Sequence, residues 1–401
     1  MKRLKRMIIL LVCLTGCSGL SLQENEAILE EQYTEEIQPE YVKLPMSEEE
    51  KRICSEEVLE IANLYRVFYR SNPFISEEQI KEIVEIVGEA GIPVTDSDNK
   101  VNMKNPQIIE SFCKEVEAGE DTKATLYRVT IDGGIVRLDF NKEEDSMSVM
   151  QTVVSWNESK EPEITYMEKF IIYQWQYTRK GYLLYKRSYE SLAPFGMDYN
   201  DGYEAIRVIP LRDEYRQLCK KYIESIGYEN NNLFLTNWNE NDLGGLQFND
   251  LFEKLYYLKT GHWIKLEDYT KGIETEVFEE LIMTYFDISK AEIRRNALYD
   301  EVLKKYIWYS RSAGEYTFQT PPLPEVIDCI KHQDGTLTLV VDAIWPQHST
   351  DSAFTHEVTI RLKEQGRFVY VSNSLKASEE DIYPAYIPRT KEDSTIIYKN
   401  E

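Results

Sequence analysis

Hydrophobic periodicity changes three times along the chain, twice from helical spacing to alternation. From Ser47, apolar residues recur every three or four positions: Ile53, Val58, Ile61, Leu64 and Phe68 predict an amphipathic helix over 47–70. Ser47 with Glu50 has the form of a capping box, and Asn72-Pro73 breaks the helix. Ser76 with Gln79 repeats the signature before Ile80, Ile83, Val84 and Val87, and Gly88 and Gly91 close this second helix. Residues 95–100 read as a polar turn and 106–116 as a short third helix. At Lys123 the period falls to two. Residues 123–131, 135–141, 146–156, 163–177 and 182–187 predict consecutive strands, joined by short turns at 132–134, 142–145, 157–162 and 180–181. Connections this short imply an antiparallel meander.

The same order follows again. Residues 193–202 hold Pro, Gly, Asn and Asp without periodicity and mark a boundary. Helices are predicted over 212–226, 248–258, 276–285 and 290–309, the last capped by Ser289 with Glu292 and bent along its length. Between the first two lies an Asn-rich stretch, 228–243, with an apolar island at Leu233, Phe234 and Leu235. Pro321, Pro322 and Pro324 stop the helices. Strands at 326–332, 336–345, 354–363 and 367–372 form a second meander, with tight turns at Asp334-Gly335 and Gln365-Gly366. The fold class is therefore α+β, in two regions, each with helices followed by an antiparallel β-meander. Helices packed on one face of such a sheet are expected. The two regions are an N-terminal domain over 47–192 and a C-terminal domain over 203–376, with a polar, acidic and at most partly ordered tail over 377–401.

The first residues have a different character. Lys2, Arg3, Lys5 and Arg6 precede an apolar run from Met7 to Leu14, too short for a membrane span. Leu14-Thr15-Gly16-Cys17 then resembles the lipobox of bacterial lipoproteins. The resemblance implies a signal peptide over 1–16, lipidation of Cys17, and a protein held on the outer face of the cytoplasmic membrane by acyl chains. The competing reading is an ordinary cleaved signal. Residues 17–46 hold seven Glu and one Lys and read as a flexible tether.

Composition narrows the partners. The chain has 401 residues, 42% of them hydrophobic, enough for a sizeable core. It carries 46 basic and 70 acidic residues, net −24; without 1–16 it carries 42 and 70, net −28. Such a surface repels nucleic acid. Cys54, Cys113, Cys219 and Cys329 are widely spaced without a Cys-x-x-Cys, and free buried thiols are preferred over two disulfides.

Candidate chemistry is sparse. Tyr173, Trp175 and Tyr177 alternate on one strand, with Tyr182 and Tyr185 nearby. Such a row can stack on a sugar or hold a peptide, or it can be core. His348 and His356 flank a turn containing Asp351, a set that could reach a metal, although alternation puts His356 with Val358, Ile360 and Leu362. Asp96, Asp98 and Asn99 resemble part of a calcium loop without its Gly and distal Glu. Ser97-Asp98-Asn99, Ser97 with Lys100, and Lys259-Thr260-Gly261 resemble pieces of a penicillin-binding signature. One serine serves two motifs, however, and Gly261 ends a helix. Asp328 and Asp342, on neighbouring strands, are a possible acid–base pair among many carboxylates. Phosphate-binding loops, dinucleotide fingerprints and metalloprotease or esterase motifs are absent. No metal or cofactor is expected.

From residue 47 onward the chain resembles an uncharacterised family of lipoproteins from clostridial Firmicutes. The runs that carry this are Tyr173-Gln-Trp-Gln-Tyr-Thr-Arg-Lys-Gly181, Asn232-Leu-Phe-Leu-Thr-Asn-Trp238, Phe248-Asn-Asp-Leu-Phe252 and Pro324-Glu-Val326. The resemblance implies location and fold and brings no activity. The leading expectation is a membrane-anchored extracytoplasmic protein with a binding or scaffolding role at the cell envelope. Its partner would be a cell-wall polymer, a peptide or another envelope protein. A wall or carbohydrate hydrolase using unassigned carboxylates is the alternative, and a transporter's substrate-binding lipoprotein is a third.

Overall fold

The Ser47 cap forms as its sequence predicts. Its side chain accepts the Glu50 N–H while the Glu50 carboxylate accepts the Ser47 N–H, and helix α1 (Glu48–Leu64) starts there. A cap of this kind stabilises a helix by about 1 kcal/mol. A computed structural model describes residues 43–66, 74–187, 202–265, 269, 271–308 and 320–389. The signal segment, Cys17, the tether to residue 42, most of the 193–202 boundary and residues 390–401 lie outside the described residues. The tether's last residues are fastened: Lys43 bridges to Phe170, and the Leu44 N–H donates to Lys169 O.

The buried line of α1 is Cys54, Val58, Ile61 and Ala62, so Ile53 and Leu64 of the expected stripe face outward. Helix α2 (Glu77–Glu89) carries the second capping box and buries Ile83, Val84 and Val87. Residues 95 and 96, expected in a polar turn over 95–100, instead belong to β1 (Val94–Asp96), a buried strand. Their polarity misleads because it is satisfied inside. Thr95 donates to Val101 O, and the Asp96 carboxylate accepts the N–H groups of Asp98, Lys100 and Val101. Helix α3 (Pro106–Glu117) follows.

Six further strands complete the first sheet: β2 (Thr122–Val129), β3 (Ile135–Glu143), β4 (Ser146–Trp156), β5 (Pro162–Tyr177), β6 (Tyr182–Arg187) and β7 (Tyr203–Arg207). They lie side by side in chain order; β1 pairs with β2 in parallel and the other pairs are antiparallel. Strand β7 has no counterpart among the predicted strands. Helices cover both faces of this sheet, not one. Leu126, Leu138 and Phe140 pack on α3, whereas Tyr127, Val129 and Ile135 pack on α1 and α2.

The C-terminal half begins with α4 (Asp213–Cys219), which continues as a π-helical turn over Lys220–Glu224. There follow β8 (Trp238–Asn239), α5 (Phe248–Thr260), β9 (Ile273–Glu274), α6 (Thr275–Tyr285) and α7 (Lys290–Asn296). The helix expected to run to 309 stops at Asn296 and gives way to a hairpin, β10 (Tyr299–Asp300) and β11 (Lys305–Tyr306). Asp300 ends it by accepting the N–H groups of Val302 and Leu303, and β11 also pairs with β9.

Strands β12 (Leu323–Lys331), β13 (Thr336–Ile344), β14 (Thr355–Leu362) and β15 (Phe368–Leu375) form the second meander, with β8 on its far edge. Its inner face, including Val341, Val358, Ile360 and Tyr370, meets rings from the helical half: Phe234, Phe248, Phe278 and Phe286. Each fully buried Phe contributes about 1.5–3 kcal/mol, so this aromatic core is the main source of cohesion in the second half. The tail expected to be loose is held as far as residue 389. The Ile382 N–H donates to Ala353 O, Tyr383 packs on Phe354, and buried Arg389 donates through its backbone N–H to Asp250 and pairs with Glu253. The described residues form one unit.

His356 lies fully inside this core. Asn373 donates through Nδ2 to Thr236 O, so its Oδ1 accepts from His356 Nδ1 at 2.7 Å; Nε2 then accepts from the Tyr228 hydroxyl at 3.0 Å. The ring stacks on Phe234, and burial pulls its pKa from 6.5 down to about 4. The unfolded chain binds this proton near pH 6.5 and the folded one only near pH 4. Stability is therefore full above pH 6.5 and is lost as pH falls towards 4. We expect the unfolding free energy, measured in urea, to drop by about 2–3 kcal/mol from this group between pH 7.5 and 4.5. His356→Gln should flatten the pH dependence by that amount, and parallel curves for the two proteins would refute the assignment.

The turn between β5 and β6 makes a second prediction. Gly181 sits at φ 89° and its carbonyl accepts the Val208 N–H at 2.8 Å. A Cβ here would lie 2.3 Å from the Ile209 Cβ. Gly181→Ala should cost about 2 kcal/mol or more in urea unfolding, because backbone strain and a clash add. A change within error would show that Ile209 yields freely.

Candidate functional site

Helix α1 covers one face of the first sheet over β3 to β5 and stops short of β6 and β7. On that uncovered end, the alternating side chains of β6 point Tyr182, Leu184 and Lys186 outward from the α3 core. The C-terminal half closes over them: Tyr182, Leu184 and Ala205 pack against Ile344 of β13.

Charges frame this apolar contact. Glu325 of β12 and Asp342 of β13 stand opposite each other across the ladder. Arg207 of β7 pairs with Glu325 at 3.1 Å, and the Tyr182 hydroxyl donates to its other oxygen at 2.7 Å. The Arg207 guanidinium lies 4.9 Å from the Tyr182 ring centre. Lys180 pairs with Asp342, which also accepts from Thr355 Oγ1 at 2.6 Å and Ser352 Oγ at 3.3 Å. Burial raises the Glu325 pKa against the pull of Arg207, and burial together with the Glu325 charge lifts the Tyr182 hydroxyl well above its ordinary value.

The joint also involves the loop after β1. Asn99, at φ 57°, donates to Ala205 O and accepts the Arg207 N–H, so it extends the edge of β7. Asn102 does the same for Leu211, accepting its N–H at 2.9 Å and donating to its carbonyl at 2.8 Å. Arg216 of α4 grips both asparagines, through Asn99 O and Asn102 Oδ1.

Between these parts opens a cleft of about 560 Å³, lined by both halves. That size lies within the range of small-ligand sites, roughly 300–1,000 Å³. Its acids are engaged. Glu204 pairs with Arg128 at 2.9 Å, Glu77 with Lys220, Glu224 and Asp98 with Lys100 at 3.6 and 3.9 Å, and Glu325 with Arg207. A general acid or base must be free to exchange its proton with the substrate, and carboxylates held by cations are poorly placed for that. The arrangement is suited to recognising polar groups.

The sequence candidates fall elsewhere. In β5 the ladder steps from Ile172 to Gln174, leaving Tyr173 as a bulge. The bulge reverses the alternation. Trp175 and Tyr177 turn onto the α3 core, whereas Tyr173 is half-exposed on the other side, with the Lys186 ammonium 5.4 Å from its ring. The three rings do not form one row. Tyr185 is in the α3 core. His348 packs on Trp345 while His356 is enclosed elsewhere, and no cluster of three or more His, Cys, Asp or Glu side chains suited to a metal occurs among the described residues. The three backbone N–H groups on Asp96 occupy the carboxylate that a calcium reading would need. Asp342 pairs across the ladder with Glu325, whereas Asp328 faces Val340 and accepts from the Tyr215 hydroxyl at 3.0 Å. Gly261 caps α5 in the left-handed conformation. Cys54, Cys113, Cys219 and Cys329 are free, and burial pushes the first three thiols up to about 12, which makes them inert.

Arg128, Glu204, Arg216 and Glu325 were not singled out in sequence. The available signal was weak: charged residues at strand positions whose neighbours alternate as core, as with Arg207 beside Ile206 and Glu325 beside Val326.

Among the described residues no helix is long and apolar enough to cross a membrane. No curated protein and no solved structure matches the chain. A family model of unknown function, DUF6070, matches residues 47–389. That span runs from the Ser47 cap to buried Arg389 and takes in both sheets, the helices and the cleft between them, so the chain belongs to the DUF6070 family, whose function is unknown.

Proposed function

We propose that this protein is a lipoprotein anchored through Cys17 on the outer face of the cytoplasmic membrane, where it binds an envelope component in the cleft between its two halves. The anchor reading rests on the order of basic, apolar and small residues ending at Cys17. The acidic stretch after it would hold the folded part away from the bilayer. The observation that carries binding is the cleft itself, built by both halves and with its carboxylates already paired. Cell-wall material is the favoured partner and another envelope protein the next; the acidic surface disfavours nucleic acid.

One observation favours a second reading, hydrolysis. Glu325 is buried in the cleft with a raised pKa, as a catalytic acid would be.

Two experiments test these readings. In its bacterial host, Cys17→Ser should move the protein from the detergent phase to the aqueous phase on Triton X-114 partition; unchanged partition would overturn the anchor. Full-length protein in mild detergent should sediment with purified cell wall without releasing soluble fragments. Gln217→Trp, an exposed position on the cleft wall, should abolish most of that sedimentation. Release of fragments that is lost in Glu325→Gln would favour the hydrolase, and sedimentation unaffected by Gln217→Trp would overturn the cleft as the site.

A further inference from the structure

Among the described residues, one of the cleft's cations makes no ion pair. Arg128, Lys100 and Lys220 each meet a carboxylate there, and the nearby Arg207 takes Glu325. Arg216 does not. Its guanidinium makes no ion pair among the described residues, and its partners are a backbone carbonyl and an amide oxygen, both neutral. Glu325 and Asp96, whose charges it feels, are already committed, the first to Arg207 and the Tyr182 hydroxyl and the second to three backbone N–H groups. Burial lowers the Arg216 pKa, which reports the same shortage of compensation. A desolvated cation is costly unless paired, and this one lines an open cavity.

Geometry defines what would pair with it. A guanidinium has five N–H groups. Nε and one N–H of Nη2 serve Asn102 Oδ1, and one N–H of Nη1 serves Asn99 O, which leaves one on each terminal nitrogen. The two asparagines are themselves fixed to Ala205, Arg207 and Leu211, so the fork is held in place before any ligand arrives. Two donors on one cation without an ion pair match a carboxylate, which is planar and singly charged, better than a phosphate monoester, which carries nearly two charges. The wall beside it is apolar and turned by prolines, with Tyr182, Pro321, Pro324 and Ile344 facing the space. The π-helical turn directly after Arg216's helix brings Lys220 and Glu224 to the same cavity. Such turns are frequent at functional sites.

We propose that Arg216 receives the free carboxylate of a short peptide bound in the cleft. This rests on the cleft being the binding site and names the chemistry that the site selects.

The test is isothermal titration calorimetry on full-length protein in mild detergent. The probes are N-acetyl-alanyl-alanine in its D,D and L,L forms, the corresponding C-terminal amides, and inorganic phosphate. The acid of at least one form should bind, and its amide should bind roughly tenfold to a hundredfold more weakly, the range for losing a charge-assisted contact. Arg216→Gln should reduce acid binding to the amide's level while leaving the amide unchanged, and Arg216→Lys should recover only part of the loss. The acid–amide comparison needs no variant, so it decides the matter even if the substitutions disturb the asparagine loop. Equal binding of acid and amide overturns the assignment to Arg216. Binding of phosphate alone, or of no probe, overturns the carboxylate. In each of these cases the cleft still stands as the binding site if Gln217→Trp abolishes wall sedimentation, and falls with the proposal if it does not.

Discussion

The fold depends on a joint in which two carboxylates from one sheet meet two cations from another. Glu325 and Asp342 lie side by side on β12 and β13, both nearly sealed from solvent. Adjacent buried carboxylates repel each other and would be expelled or protonated without partners. Arg207 and Lys180 supply the partners from the far half of the chain, while Tyr182, Thr355 and Ser352 complete the hydrogen bonding. Removing one member of such a pair leaves the other unpaired at a cost of about 3–5 kcal/mol. The joint therefore acts mainly as a register: an arrangement of the two sheets that missed these pairs would bury bare charges, so the alternatives are penalised more than the native arrangement is favoured.

That requirement explains which parts of the structure were legible in the sequence. Where one face of an element meets one environment, the pattern was faithful: three capping boxes, five strands of the first meander and four of the second follow directly from local signals. Errors arose where polar residues are buried with partners. Thr95 and Asp96 look like a turn because nothing local shows that three backbone N–H groups will converge on one carboxylate. The hairpin at Tyr299–Tyr306 looks helical because its Leu and Tyr spacing suits a helix, and only pairing with β9, more than twenty residues earlier, makes it a strand. The tail looks loose because Arg389 shows its purpose only beside Asp250 and Glu253.

The candidate site was less legible for a related reason. Reading β5 with unbroken alternation puts Tyr173, Trp175 and Tyr177 on one face. A single bulge at Tyr173 moves two of those rings into the core, and sequence carries little warning of a bulge. The residues that do line the cleft come from the loop after β1, from β2, β6 and β7, from α4 and from β12. No window of sequence contains more than a few of them, and each alone reads as an ordinary surface charge or a strand tyrosine. Asn99 is instructive. In sequence it belongs to a spurious Ser-Asp-Asn motif, whereas in the fold it extends the edge of β7 and accepts hydrogen bonds on which the position of Arg216 depends.

The cleft and the joint are consequences of the same geometry. Helix α1 is too short to cover the first sheet beyond β5, so β6 and β7 need another cover, which the second meander supplies. Beside that contact a space is left, where α4, the β1 loop and β12 come together. Side chains on that boundary must answer to both halves at once. Arg207 and Lys180 are matched by carboxylates of the other half, which fixes the halves together, and Arg128 is matched within the first sheet. Arg216, held by the same loop but facing the opening, is matched only by neutral oxygens. An interface that pairs most of its cations within the protein has a structural role along most of its length and a receptive one where Arg216 stands without an ion pair among the described residues. A carboxylate bound to Arg216 would also tighten the loop that both halves share.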